Sequence, residues 1–347
     1  MKHSTNPFPN GLVHGCDYNP EQWLHRPDIL EKDVELMREA GINMVSIGIF
    51  SWQKIEPEEG QYTFDWMDQT IERLHGAGIK MCLATSTAAY PHWLANRYPE
   101  VMRKAAGQTS PSRGGRHNFC WTSPVYREKT ASLIGQIAKR YGNHPALAAW
   151  HVNNEYGGNA DANRCYCDHC VSRFQEWLQE RYQGDLDALN RSWWTAFWSH
   201  GYSDWSEIVP GDSGVGGLTM NWLRFNTEQV EDFLCHEIEN IRQFSDAPVT
   251  TNFHGNGMHT DDYQLARHLD FVSYDCYPSI DGTSQDHDAM IEAAWESDRM
   301  RCLLNKPWLL MESCPSQPQY KRPMRAKRPG VHRLLSLQHV AHGSEGV

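Results

Sequence analysis

The sequence predicts an α/β fold, a (β/α)₈ barrel of the TIM type that is incomplete at its C-terminus, and three observations predict it. Short apolar runs alternate with longer amphipathic stretches along the 347 residues, as repeated βα units on a parallel sheet require. No GxGxxG turn follows any of those runs, which argues against a dinucleotide-binding sheet. The length suits one barrel of roughly 250 residues with insertions.

Seven runs have the length and composition of strands: Leu12 to Cys16, Met44 to Phe50, Met81 to Thr85, Ala146 to Val152, Pro248 to Phe253, Phe271 to Tyr274 and Trp308 to Met311. Helices are expected near Asp28 to Ala40, Phe64 to Leu74, Val125 to Tyr141, Trp222 to Phe244 and Ile291 to Leu304, most with apolar residues at i, i+3 and i+4. Gly41 and Gly76 stand where C-caps belong. One further helix, near Val331 to His342, precedes the end at Gly346-Val347, so an eighth strand is expected to be missing and the chain to be truncated. A barrel opened there would leave the first and seventh strands with unpaired edges and favour self-association.

The stretch from Ala160 to Met220 interrupts the pattern after the fourth strand and carries Trp193, Trp194, Trp198 and Trp205. It reads as an elaborated βα loop, and such loops build the C-terminal face where barrel sites lie. The 14 Trp are either core bulk or flat walls for sugar rings, and their positions decide between the two.

The formal net charge of −11 disfavours nucleic acid as a partner, since phosphate binding draws on clustered Lys and Arg. The one basic run, Lys321 to Pro329, contains two prolines and reads as a solvated loop. Met1 to Asn10 has no apolar h-region, and no stretch of about 18 apolar residues occurs, so neither export nor a membrane is expected. Of the ten Cys six are scattered and several sit inside apolar runs such as Met81-Cys82-Leu83, which fits reduced thiols in a cytoplasm.

The fourth strand ends in Asn153-Asn154-Glu155-Tyr156-Gly157, and the seventh leads into Glu312-Ser313-Cys314. One terminal Glu is unremarkable, but two at the ends of strands four and seven suit a glycosidic bond that breaks through an oxocarbenium-like state. That state needs a protonated acid on the leaving oxygen and an anion beneath the anomeric carbon. A carboxyl group in apolar surroundings beside a second carboxylate keeps its proton to higher pH. Asn154 is placed to hold the sugar 2-hydroxyl.

Asn154-Glu155 and Glu312 look like the large clan of barrel-type retaining glycosidases. The segments His14 to Trp23 (HGCDYNPEQW), Phe50 to Pro57 (FSWQKIEP) and Trp150 to Gly157 (WHVNNEYG) resemble glycoside hydrolase family 42, whose members are β-galactosidases, and the similarity runs nearly the whole length. The resemblance implies that Glu155 is the general acid/base and Glu312 the nucleophile, that Arg116 and Asn154 contact the galactose, that Tyr277 lies near the nucleophile, and that Trp198 walls the sugar subsite. It implies a homotrimer for a full-length member, and it makes binding by a chain without the last strand an open question. Alternatives are another clan activity, such as xylanase, mannanase or cellulase, and a sugar-binding or inactive remnant.

Cys165, Cys167 and Cys170 form a C-x-C-x-x-C run, and Cys120 lies ahead of the fourth strand. Four thiolates suggest a closed, tetrahedral structural zinc, with the fourth ligand taken from the family resemblance and His169 as an alternative. Such a metal would tie the long loop to the loop after strand three and would take no part in catalysis. A zinc-dependent nucleic-acid module conflicts with the acidic charge. His254 and His259 read as loop residues.

Overall fold

The structure, a computed structural model, describes residues 11–110, 114–157, 164–211, 214–255, 260–280, 286–316 and 325–347. Met1 to Asn10, His259, residues 160–163 of the insertion and residues 321–324 of the basic run lie outside them.

Eight strands fill seven positions of a parallel barrel: β1 (Gly15–Tyr18), β2 (Met44–Ile47), β3 (Lys80–Ala84), β4 (Leu147–His151), β5 (Val249–Thr250) followed by β6 (Asn252–His254), β7 (Val272–Asp275) and β8 (Trp308–Glu312). The order is β1-β2-β3-β4-β5 and then β6-β7-β8, with the fifth position broken at Thr251. The helices are α1 (Pro27–Glu39), α2 (Trp52–Ile55), α3 (Asp65–Gly76), α4 (His92–Arg97), α5 (Pro124–Tyr141), α6 (Asp168–Arg181), α7 (Leu186–Trp193), α8 (Gly216–Arg242), α9 (Asp262–Ala266), α10 (Asp286–Leu304) and α11 (Val331–Ala341). Gly41 follows α1 in the left-handed region at φ 73°, as a C-cap glycine should. For α3 the left-handed residue is Gly78 at φ 77°, and Gly76 is the last helical residue.

Strand alternation divides the core into two layers. Val13, Met44, Cys82, Ala149, Phe271 and Leu309 pack together inside the barrel. The intervening Val45, Ile47, Met81, Leu83, Trp150, Val272 and Trp308 pack outward under the helices. Trp52, Trp150 and Trp308 are fully buried there. Their indole N–H groups donate to Glu56 Oε2 at 2.8 Å, Ser245 Oγ at 3.0 Å and the His342 carbonyl at 3.2 Å. These three Trp are therefore core bulk with their polar handles satisfied.

The seam between β8 and β1 departs from expectation. No full eighth strand is present among the described residues, yet the two edges are not open. Residues 344–347 run parallel between them, with bridges from Trp308 to Ser344 and from Val13 to Gly346. Glu345 N–H donates to the Trp308 carbonyl at 2.8 Å, Val13 N–H to the Glu345 carbonyl at 2.8 Å, and Gly15 N–H to the Val347 carbonyl at 2.9 Å. A Cβ at Gly346 would meet Val13 Cβ at 2.5 Å and Leu309 Cδ1 at 2.6 Å, so only glycine fits where the seam crosses the inner layer. The sequence reading missed this stub because Ser344-Glu345-Gly346-Val347 contains no apolar run.

The insertion is a small subdomain. Phe174 and Leu178 of α6, Leu189 and Trp193 of α7, and Leu218, Trp222 and Phe225 of α8 share a core with Cys120, Cys165 and Cys170. Of the four Trp noted in the sequence, Trp193 is buried and Trp205 half-buried against this core. Trp194 and Trp198 are 78% and 75% exposed.

On α8, Glu237 is fully buried, and burial pushes its carboxyl up to about 7 against the hydrogen bonds it accepts. Its folded value lies above its unfolded value of about 4.3, so the unfolded chain releases this proton first. Glu237 therefore lowers stability as pH climbs from about 4.3 to 7, by about 4 kcal/mol in all, and adds no further pH dependence above that. Urea unfolding of the protein and of Glu237→Gln across that range should show the variant gaining relative stability with pH. A pH-independent difference would show that Glu237 titrates alike in both states.

Candidate active site

Polar side chains replace apolar ones inside the barrel toward the C-terminal ends of the strands. His151 of β4, Asn252 of β6, Ser273 and Asp275 of β7 all point inward and are buried. Asn252 is the hub. Its Oδ1 accepts from the Glu155 backbone N–H at 2.8 Å and lies 2.8 Å from His151 Nε2. Its Nδ2 lies 2.9 Å from Asn154 Oδ1, 2.5 Å from Asp275 Oδ2 and 3.3 Å from Glu312 Oε1.

Around this hub the structure brings together Glu155, just past β4, and Glu312, the last residue of β8. One carboxylate oxygen from each of Glu155, Asp275 and Glu312 lies within 4.8 Å of the others. Arg116 is ion-paired with Glu155, and the Tyr277 hydroxyl donates to Glu312. Asn154 is fully buried, with its Nδ2 3.4 Å from Glu155 Oε2. His117, beside Arg116, is held neutral by burial and by the neighbouring guanidinium, its value pushed down to about 3. Its Nε2 lies 2.6 Å from the Asn154 carbonyl. Trp198 behaves differently: its ring stacks on Phe197 and meets His200 edge-on at the surface.

Burial raises the Glu312 carboxyl, and the charge of Glu155 adds to this, while the Tyr277 hydroxyl, the Arg116 charge and Asn252 oppose it. A nucleophile must be ionised, so those three donors do the work that burial resists. Asp275 is pushed well above the usual carboxylate range, by burial first and then by the charges of Glu312 and Glu155.

The sequence reading missed Asn252 and Asp275 as members of the site. Asn252→Ala would leave the Glu155 N–H and Asp275 without their partner in a dry site. A stability loss of about 2–4 kcal/mol and a fall in kcat on the order of 10²-fold are expected, read by thermal unfolding and steady-state kinetics. An unchanged Tm would remove Asn252 from its place as the hub.

The four cysteines also meet. Their Sγ atoms lie within 4.8 Å of one another, with Cys120 to Cys167 at 3.8 Å and Cys120 to Cys170 at 3.3 Å. A tetrahedron with Zn–S bonds of about 2.3 Å has edges of about 3.8 Å, so the donor set and its spacing fit that ion. His169 instead places Nε2 3.1 Å from the Thr122 carbonyl.

Two carboxylates facing each other across the C-terminal mouth of a parallel barrel are the arrangement of barrel glycosidases, and that is the class the fold and site define. The family model described as "Beta-galactosidase" matches residues 17–347, and the chain belongs to that family, glycoside hydrolase family 42. It is 48% identical over 347 residues to β-galactosidase BglY of Alicyclobacillus acidocaldarius, covering 98% of this chain and 50% of BglY. It is 44% identical over 348 residues to β-galactosidase GanA of Bacillus subtilis, covering 97% and 51%. The crystal structure of the β-galactosidase from Rahnella sp. R3 superposes with a TM-score of 0.93 at 49% identity, covering 97% of this chain and 50% of that one. The chain spans about half the length of the curated relatives it matches. The catalytic domain of a Paenibacillus polymyxa β-amylase, at 13% identity and a TM-score of 0.70, shares the fold alone.

Proposed function

We propose that the chain carries the catalytic centre of a retaining β-galactosidase. The observation that carries this reading is the approach of Glu155 and Glu312 to within 4.8 Å at the ends of the fourth and seventh barrel positions. Retaining enzymes hold their carboxyl groups about 5–5.5 Å apart, and inverting enzymes leave about 6.5–9.5 Å for a water. Glu312 attacks the anomeric carbon while Glu155 gives its proton to the leaving oxygen, and an acylal-linked galactosyl-enzyme forms. Glu155, now a base, takes a proton from water as that water attacks the same carbon, and the Glu312 carboxylate leaves. Two inversions give net retention.

Arg116 and Asn154 in this reading hold galactose hydroxyls, and Tyr277 orients Glu312. The part of Trp198 as a subsite wall rests on the family resemblance alone, as does a homotrimer of the whole protein. None of the ten cysteines is joined in a disulfide, which suits a reducing cytoplasm. Among the described residues no helix is long and apolar enough to cross a membrane.

The test is a panel of nitrophenyl glycosides with the first-formed anomer followed by NMR. The β-galactoside should be cleaved fastest and β-galactose should appear first. Faster cleavage of a xyloside, mannoside or glucoside would move the chain to another activity of the clan, and α-galactose first would overturn the double displacement.

Cys120, Cys165, Cys167 and Cys170 would hold a structural zinc that joins the insertion to the loop before α5; it supplies rigidity and no chemistry. Metal analysis is expected to give one zinc per chain, and chelation to lower Tm by about 10 °C through the loss of several kcal/mol. Metal-free protein of unchanged Tm would sink this assignment.

A further inference from the structure

The catalytic reading leaves one deeply buried carboxylate unused. Glu237 of α8 lies behind the C-terminal ends of β3 and β4, outside the cluster of Glu155, Asp275 and Glu312. Its Oε1 accepts from the Thr87 hydroxyl and lies 3.4 Å from Thr85 Oγ1, and its Oε2 accepts from the Tyr156 hydroxyl. The same two threonines receive Asn153, whose backbone N–H donates to Thr85 Oγ1 at 2.8 Å and whose amide donates to Thr87 Oγ1 at 3.0 Å. Asn153 Oδ1 then accepts from the Asn154 N–H at 2.9 Å. The network thus grips Asn153 on one side of the Asn154-Glu155 pair and Tyr156 on the other.

The backbone it grips is strained. Asn153 and Glu155 sit in the left-handed region at φ 56° and 43°, where a residue with a side chain stays only if its surroundings over-determine it. Hydrogen bonds made by a fully buried carboxyl group, where no water competes, are a strong kind of restraint. Tyr126 adds to it by donating to the Thr87 carbonyl at 2.5 Å. We propose that Glu237 is a positioning residue for Glu155, clamping both flanks of the strained turn that aims the acid/base. The inference rests on the reading of Glu155 as the acid/base.

A positioning role predicts a loss that depends on the leaving group. In kcat/KM, which reports bond cleavage alone, a dinitrophenyl galactoside departs without a proton and methyl β-galactoside needs one. Tyr156→Phe keeps the ring and removes one arm of the clamp, so it serves where Glu237→Ala fails to fold. Either variant should lower kcat/KM for the methyl galactoside by about ten-fold or more and for the dinitrophenyl galactoside by less than about two-fold, with Glu237→Gln in between. Glu155→Gln, run beside them, should show the same split in larger measure. Equal losses on both substrates in the clamp variants, with the split intact in Glu155→Gln, would overturn the inference and keep the catalytic reading. No split in Glu155→Gln would overturn the role of Glu155 itself. Amide hydrogen exchange tests the clamp without turnover: exchange at residues 153–157 should quicken in Tyr156→Phe and Glu237→Gln, and unchanged protection there overturns the proposal.

Discussion

Glu312→Ala is expected to lower kcat/KM for nitrophenyl β-galactoside by a factor on the order of 10⁵, the scale seen when a covalent nucleophile is removed from its supporting site. The geometry says why the loss is so large and also how part of it returns. Truncation at Cβ deletes the attacking oxygen and leaves a small anion-sized space lined by the donors that now serve Glu312, the Tyr277 hydroxyl and the Asn252 amide. Added azide or formate should enter it, attack the anomeric carbon from the same side as the missing carboxylate, and restore some turnover. With azide the product is α-galactosyl azide, a single inversion. A Glu312→Ala chain that retains more than about one part in a hundred of the activity would remove Glu312 from the mechanism.

Glu155→Ala should be nearly as damaging for substrates with poor leaving groups, on the order of 10²- to 10⁴-fold in kcat/KM. Its second signature is the accumulation of the galactosyl-enzyme when the leaving group is good, because the variant forms the intermediate and then lacks the base that activates water. A burst of nitrophenol equal to the enzyme concentration, with mass spectrometry placing the sugar on Glu312, checks both roles in one experiment. The variant lacks the acid whose proton the leaving group takes, so the pH profile should lose its basic limb. Retention of a full bell-shaped profile in Glu155→Ala would assign the acid/base to another residue.

The two glutamates were legible in the sequence because each interrupts an apolar run at the strand end, where a barrel places its chemistry. Asp275 was passed over by one residue, since the strand was read to stop at Tyr274. Asn252 lay inside the run Pro248 to Phe253, where an amide reads as a defect; its meaning lies in contacts with residues 97 and 60 positions away, Glu155 and Glu312. Glu237 did carry a signal. It stands between Phe233 and Ile241 at spacings of four, a carboxylate on a buried stripe, and such a position calls for a partner. Cys165, Cys167 and Cys170 stood out by their C-x-C-x-x-C spacing, whereas Cys120, far off in sequence, was joined to them only by the family resemblance.

The stub that fills the seam has a consequence for how the chain is made. Val13 leaves the ribosome long before Gly346, and the barrel wall closes only when the two are side by side. At translation rates of about 5–20 residues per second, β1 waits roughly 15 to 65 s for its second neighbour. Throughout that time one row of its backbone donors and acceptors is unpaired, so the nascent chain depends on a chaperone, or on speed, until residues 344–347 emerge.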